Sequence, residues 1–267
     1  MAGFHHQHRS RPYQANRSLA VLSKMMTLAE AWGLRTDGSN PCRHVKKYQE
    51  HKRERFLTQQ ELRRLGAALT DVQTHRTESP FVIAAIGLLV LTGARLTEVL
   101  TLRWDYVDFE NQVLRLPDSK TGAKLIYLND AAVKLLRTLP SMAGNPFVIA
   151  GGKPGARLIN LQKPWRRIRA AANLDDVRIH DLRHSFASVG AGAGMSLILI
   201  GKLLGHKQAA TTARYAHLAA DPILAASNVI GNHISGAMKT HRHVRLQNTG
   251  QTPRQRPPKR RSRASLA

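Results

Sequence analysis

Apolar residues recur along this chain in several rhythms, and each rhythm predicts a different kind of element. In ANRSLAVLSKMMTLAEAW, residues 15–32, they fall at Leu19, Leu22, Met26 and Ala29, the spacing of one helical face. Gly33, Gly38 and Pro41 end that pattern, and KKYQEHKRER then reads as a solvated basic linker. Thr58 and Glu61 have the spacing of a capping box, predicting a helix through Leu69 and the start of the main domain. Phe81 to Leu91 is apolar on every side and stops before Gly93, so it predicts a helix buried at the centre of the core. The rhythm then shortens. Val107 to Phe109, Val113 to Leu116 and Leu125 to Leu128 are brief runs separated by Glu110-Asn111 and Lys120-Thr121-Gly122, which predicts a small antiparallel sheet of hairpins. Helical spacing resumes after Asn129 and Asn160, both candidate N-caps, then in Asp181 to Val189, Leu197 to Leu204 and Pro222 to Ile234. From Asn248 the chain loses all apolar period, and no acid follows Asp221, which predicts a disordered cationic tail.

The expected fold is therefore mainly α with one small antiparallel β-sheet. It falls into a helical segment with linker at 1–55, a main domain at 56–237 and a basic tail at 238–267. With 267 residues, 42% of them hydrophobic, the chain can bury a sizeable core. Charge narrows the partners: 41 Lys plus Arg against 17 Asp plus Glu leaves a net +24, which attracts polyanions such as nucleic acid. A membrane fits less well, because the longest apolar run is far shorter than the roughly 20 residues needed to cross a bilayer. The N-terminus MAGFHHQHRSRPYQ has no apolar stretch of the kind that opens a signal peptide. A single cysteine, Cys42, supplies neither an internal disulfide nor a zinc ribbon, so a reducing cytoplasm is expected.

Four segments interrupt apolar or turn-forming surroundings with polar or charged groups. They are Thr92-Gly93-Ala94-Arg95, Ser119-Lys120-Thr121-Gly122, His180-Asp181-Leu182-Arg183-His184, and Leu204-Gly205-His206 followed by Tyr215. Taken singly, each has an ordinary reading as an ion pair, a hairpin turn or a core aromatic. Taken in order, they supply what is needed to break and rejoin a phosphodiester without a metal ion. A phenol with a pKa near 10 is a poor nucleophile at neutral pH, so it needs cations and a base beside it. Guanidinium forks suit the phosphate oxygens and meet the charge that builds in the transition state.

The segments LTGARLTEVLTLRW, HDLRHSFAS and KLLGHKQAATTARYAHL resemble the signature of the tyrosine recombinase, or phage integrase, family over about residues 56 to 220. That resemblance implies a site-specific recombinase that acts on double-stranded DNA by two successive transesterifications. It assigns Tyr215 as the nucleophile that forms a 3′-phosphotyrosine, and Arg95 and Arg183 as the grip on the non-bridging oxygens. It assigns Lys120 as the general acid for the leaving 5′ oxygen, His180 as the group that helps deprotonate the tyrosine, and His206 as a hydrogen-bond donor to the phosphate. No metal or cofactor is implied. His180 and Arg183, three apart, share a helical face. His184 is read as a supporting or structural residue, and Glu98 as a local ion-pair partner of Arg95.

The resemblance further implies assembly as a homotetramer on DNA, with an accessory DNA-bending protein as an additional partner. Pro222 to Ile234 is expected to dock on a neighbouring protomer. Upstream, family members carry a helical bundle that clamps DNA; here about one and a half helices match its end, which implies a truncated clamp. Two alternatives stand beside this reading: relaxation of DNA by the same chemistry in a type IB topoisomerase, and a remnant whose truncated clamp leaves a basic DNA-binding protein that no longer cleaves. A zinc-protease reading of His180-Asp181-x-x-His184 fails, since that chemistry wants Glu after the first His and no Arg beside the second. Gly151-Gly152-Lys153-Pro154-Gly155 lacks the spacing of a phosphate-binding loop, and His5-His6-x-His8 reads as a mobile polar terminus.

Overall fold

The computed structural model describes residues 2–50, 53–118, 122–206 and 208–244, and the chain divides into two compact units, Met1–Glu54 and Arg55–Ala267. The expected tail from Asn248 lies outside the described residues.

The first unit holds α1 (Ala2–Gln7) and α2 (Pro12–Ala31), the latter opening on a proline whose fixed φ suits a first helical turn. α2 matches the predicted apolar period, but α1 corrects the expectation of a mobile histidine-rich terminus. His5 is buried, its Nε2 hydrogen-bonded to Asn16 Oδ1 at 3.1 Å and its ring stacked on Tyr48 at 4.3 Å. The Asn16 amide in turn donates to Tyr48 O and Glu50 Oε1 at 2.9 Å each. Buried polar groups need such partners, and these come from residues far along the chain that no local pattern displays.

In the second unit α3 (Gln59–Thr74) begins with the expected capping box: Glu61 N donates to Thr58 Oγ1, and Thr58 N donates to Glu61 Oε2. The helix continues a turn past Leu69. α4 (Pro80–Thr92) is capped by Ser79 and runs through the centre of the core, with Val82, Ala85, Ile86, Leu88 and Leu89 all buried. α5 (Leu96–Leu100) follows at once. The sheet is a meander of β1 (Val107–Asp108), β2 (Val113–Leu116) and β3 (Lys124–Tyr127), antiparallel in the order β1-β2-β3, with Val113 opposite Tyr127 and Leu116 opposite Lys124. α6 (Asp130–Thr138) takes the predicted cap from Asn129, whose Oδ1 accepts from Ala132 N. α7 (Gln162–Ala171) starts one residue later than a cap at Asn160 requires, although Asn160 Oδ1 still accepts from Gln162 N.

α8 (Ile179–Gly192) packs on α4, α9 (Leu197–Leu204) packs on α8, and α10 (Ala210–Ala213) packs on α9. The last helix, α11 (Ala220–Val244), is longer than predicted at both ends. Residues 238–244 are therefore helical, not part of an unstructured tail. Among the described residues no helix is long and apolar enough to cross a membrane.

Candidate active site

The site grows from the end of α4. Gly93 sits at φ +62°, where a Cβ would lie 2.7 Å from Phe186 Cδ1 and 2.9 Å from Leu204 Cδ2. Glycine is therefore required twice over, by the left-handed turn and by the close approach. That turn delivers Arg95 to the start of α5, where its amide donates to Glu98 Oε2 (2.8 Å) and its guanidinium to Glu98 Oε1 (2.7 Å). The expected Arg95–Glu98 pair is thus present, and it extends further. Lys124, at the start of β3, donates its Nζ to Glu98 Oε2 at 2.9 Å, with both side chains almost fully buried.

Burial alone would raise the Glu98 pKa, but the Arg95 amide and the Lys124 ammonium outweigh it and hold the carboxyl below its usual range. Burial lowers the Lys124 pKa against the pull of Glu98. Gly205, at φ +68°, makes room for this lysine, since a Cβ there would sit 2.6 Å from Lys124 Cε. Lys120 lies outside the described residues, so the lysine that the structure places in the cluster is Lys124. A strand-opening lysine next to a hairpin turn carries no local mark of burial, so sequence reasoning passed it by.

Arg183 projects from α8 and is buried, with Nη1 donating to Gly93 O at 2.6 Å and Nη2 to Leu204 O at 2.8 Å. Both acceptors stand at helix C-termini, the negative ends of the α4 and α9 dipoles, so a cation suits the position. Burial first, then the nearby Arg95, lowers its pKa to about 10, which leaves it charged at neutral pH. On the same helix His180 lines a cleft of about 340 Å³ together with Arg169, Arg178 and Arg183. Burial, then the charge of Arg183, lowers the His180 pKa.

His206 follows Gly205 and places Nδ1 2.8 Å from Thr212 Oγ1. Burial and the charges of Arg183, Arg95, Lys124 and Arg214 push its pKa down to about 4, so it is a neutral imidazole at pH 7. Tyr215 is buried in a small cluster with Ala187, Ala191, Ile200 and Leu204, and the Arg214 guanidinium stands 5.9 Å from the centre of its ring. Its hydroxyl shares a hydrogen bond with His184, whose Nδ1 lies 2.5 Å from Tyr215 Oη. His184 was expected to be only supporting, yet it touches the candidate nucleophile. The ring of His180, one turn earlier, meets that of His184 edge-on at 4.8 Å.

The structure thus brings Arg95, Arg183, His180, His206 and Tyr215 into one electrostatically coupled cluster and adds Glu98, Lys124, His184 and Arg214. Such an arrangement can hold an anion against fixed cations and present a phenol to it with a base alongside. Among the described residues, no group of three or more His, Cys, Asp or Glu side chains is placed to hold a metal ion.

The phage integrase family matches residues 55–221. A shufflon-specific DNA recombinase of Escherichia coli is 29% identical over 207 residues, covering 76% of this chain and 50% of that protein. The tyrosine recombinase XerA of Saccharolobus solfataricus is 32% identical over 144 residues, covering 52% of this chain and 46% of that protein. The chain spans about half the length of these curated relatives. In fold it is similar to the Tn1549 transposon integrase in complex with transposon right end DNA (TM-score 0.64, 18% identity, 86% of this chain and 84% of that one). It is also similar to a lambda integrase dimer bound to a core site (TM-score 0.62, 21% identity, 80% of this chain and 77% of that one).

Proposed function

The chain belongs to the phage integrase family, and from that premise we propose that it cleaves and rejoins double-stranded DNA at defined sites through a 3′-phosphotyrosine on Tyr215. The observation that carries the proposal is the Tyr215 hydroxyl, hydrogen-bonded to an imidazole inside a cluster of cations. Arg95 and Arg183 bind the non-bridging oxygens of the scissile phosphate, where fixed guanidinium groups meet developing charge with no reorganisation. His206 hydrogen-bonds the phosphate, His180 faces it from the cleft, and Lys120 protonates the leaving 5′ oxygen. Residues 56–237 form the catalytic domain, and 1–55 contribute part of a DNA-binding clamp.

Partner assembly follows from the same reading. On α11 the exposed residues Val229, Ile230, Ile234 and Met238 form an apolar stripe at helical spacing. This stripe docks on a neighbouring protomer in a tetramer that pairs two DNA sites, with a DNA-bending protein as an accessory. The net +24 supplies phosphate contacts without regard to sequence.

The test is covalent trapping. Duplexes selected by the protein from a random pool are nicked so that the cleaved 5′ fragment diffuses away, incubated with the protein and denatured. The expected result is a protein–DNA adduct that Tyr215→Phe abolishes. Binding without an adduct in the wild type would overturn the cleavage assignment, and relaxation of plasmids that lack any selected site would replace it with a topoisomerase.

A further inference from the structure

We propose that His184 is the catalytic residue that takes the phenolic proton of Tyr215, an assignment that rests on the recombinase reading and deepens it. The geometry carries the argument. An imidazole nitrogen stands 2.5 Å from Tyr215 Oη, and the contact joins residues 31 apart in sequence, so it is built by the fold and not by a local turn. The imidazole is also held in place. On one side of it Arg183 is fixed by two carbonyl acceptors. On the other Ser185 donates to Asp181 O and accepts from Leu57 N, which pins this turn of α8 to the start of the domain. A base locked by its neighbours at hydrogen-bond distance from its proton is preorganised for transfer.

The groups that set the protonation of His184 are known. Burial comes first, followed by His180 and Arg183 on its own helix and Arg214 from the segment packed against it; they outweigh the opposing pull of Asp181 and lower its pKa to about 4. At neutral pH the ring is therefore uncharged, and Nδ1 has a lone pair for the phenol when Nε2 carries the ring proton. The phenolic proton becomes far more acidic as Oη bonds to phosphorus, so a weak base at this distance suffices.

In cleavage the Tyr215 O–H passes its proton to His184 Nδ1 as the Oη–P bond forms. The P–O5′ bond breaks, and its electron pair leaves with the 5′ oxygen, which takes a proton from Lys120. In rejoining the 5′-hydroxyl gives its proton back to Lys120 and attacks phosphorus. The P–Oη bond breaks, and the His184 imidazolium returns its proton to the phenolate. His180, facing the phosphate cleft, is left to bind the anion.

The experiment measures single-turnover cleavage of a selected duplex by His184→Ala, His184→Asn and His180→Ala, each also on a duplex with sulfur at the bridging 5′ position. A 5′-thiolate leaves without an acid, so that substrate separates loss of the acid from loss of the base. His184→Ala is expected to slow cleavage by about 10²- to 10⁴-fold. His184→Asn keeps a hydrogen-bond acceptor near Tyr215 Oη but cannot take its proton, and should remain nearly as slow. The sulfur substrate should rescue Lys120→Ala and neither His184 variant. Wild-type rates in His184→Asn, or rescue of His184→Ala by sulfur, would overturn the assignment. A wild type that binds duplex but forms no adduct would instead overturn the recombinase reading beneath it.

Discussion

Glu98 stands beside the main core, Tyr215 is held by a much smaller one, and Arg183 bridges the two. Glu98, next to Val99 of the main cluster, binds Arg95 and Lys124 at once, and Arg183 ties the end of α4 to Leu204 O at the end of α9. Tyr215 instead packs with Ala187, Ala191, Ile200 and Leu204, edged by Phe186, Leu197 and Leu218. Two of those four are alanines, so little apolar area holds the segment. The difference suits the chemistry. A charge cradle works best when it does not reorganise, while a nucleophile that joins and leaves DNA needs a segment that opens at lower cost than the whole domain.

Three measurements bear on that comparison. The largest effect is expected from Glu98→Gln, which leaves Lys124 buried beside Arg95 and Arg183 without its counter-charge. A loss of about 3–5 kcal/mol is expected from removing one member of a buried pair, read as a lower denaturant midpoint. An unchanged midpoint would show that the cradle is not tied to the core. Next, the amides of Tyr215 and Leu218, bonded to Thr212 O and Tyr215 O, should exchange with solvent markedly faster than those in the middle of α4. Equal protection would place the nucleophile in the same cooperative unit as the cradle.

The smallest effect is with pH. His184 and His206 titrate near 6.5 when unfolded and about 4 in the fold, so the unfolded chain binds more protons between those values. Their contribution is fully present above pH 6.5 and is lost as pH falls toward 4. Stability should therefore decline over that window, and His184→Asn should flatten the slope. An unchanged slope would mean that burial does not keep His184 neutral.

Much of the fold was legible because its signals are local. The all-apolar run that became α4, the Thr58–Glu61 capping box and the Asn129 cap each lie within a few residues of what they control. Gly93 marked a helix end, though what crowds it, Phe186 and Leu204, came only with the fold, as did the helix-ending turn of Gly205 against Lys124. The N-terminal helix was missed because His5 is buried by Asn16 and Tyr48, not by any apolar period of its own. The length of α11 was underestimated because its last turns carry polar and basic residues, a composition that reads as tail.

For the candidate site, sequence by itself determined which chemical groups are present and in what order: two arginines, a histidine three residues before the second, a Gly-His and a tyrosine. Periodicity also marked the helix that carries Arg183, since a helical face is written every three or four residues, while Arg95, His206 and Tyr215 stand in turns beside helix ends. Tertiary structure alone decided which group meets which. Lys124 finds Glu98 across 26 residues, Arg183 finds carbonyls 90 and 21 residues away, and the imidazole on Tyr215 belongs to His184. The physical reason is that a local pattern states which face of a helix is apolar, but not how far the helix turns or slides against its neighbours. Close packing of the core sets that rotation, and one turn of α8 separates the imidazole that touches the nucleophile from the one that faces the cleft.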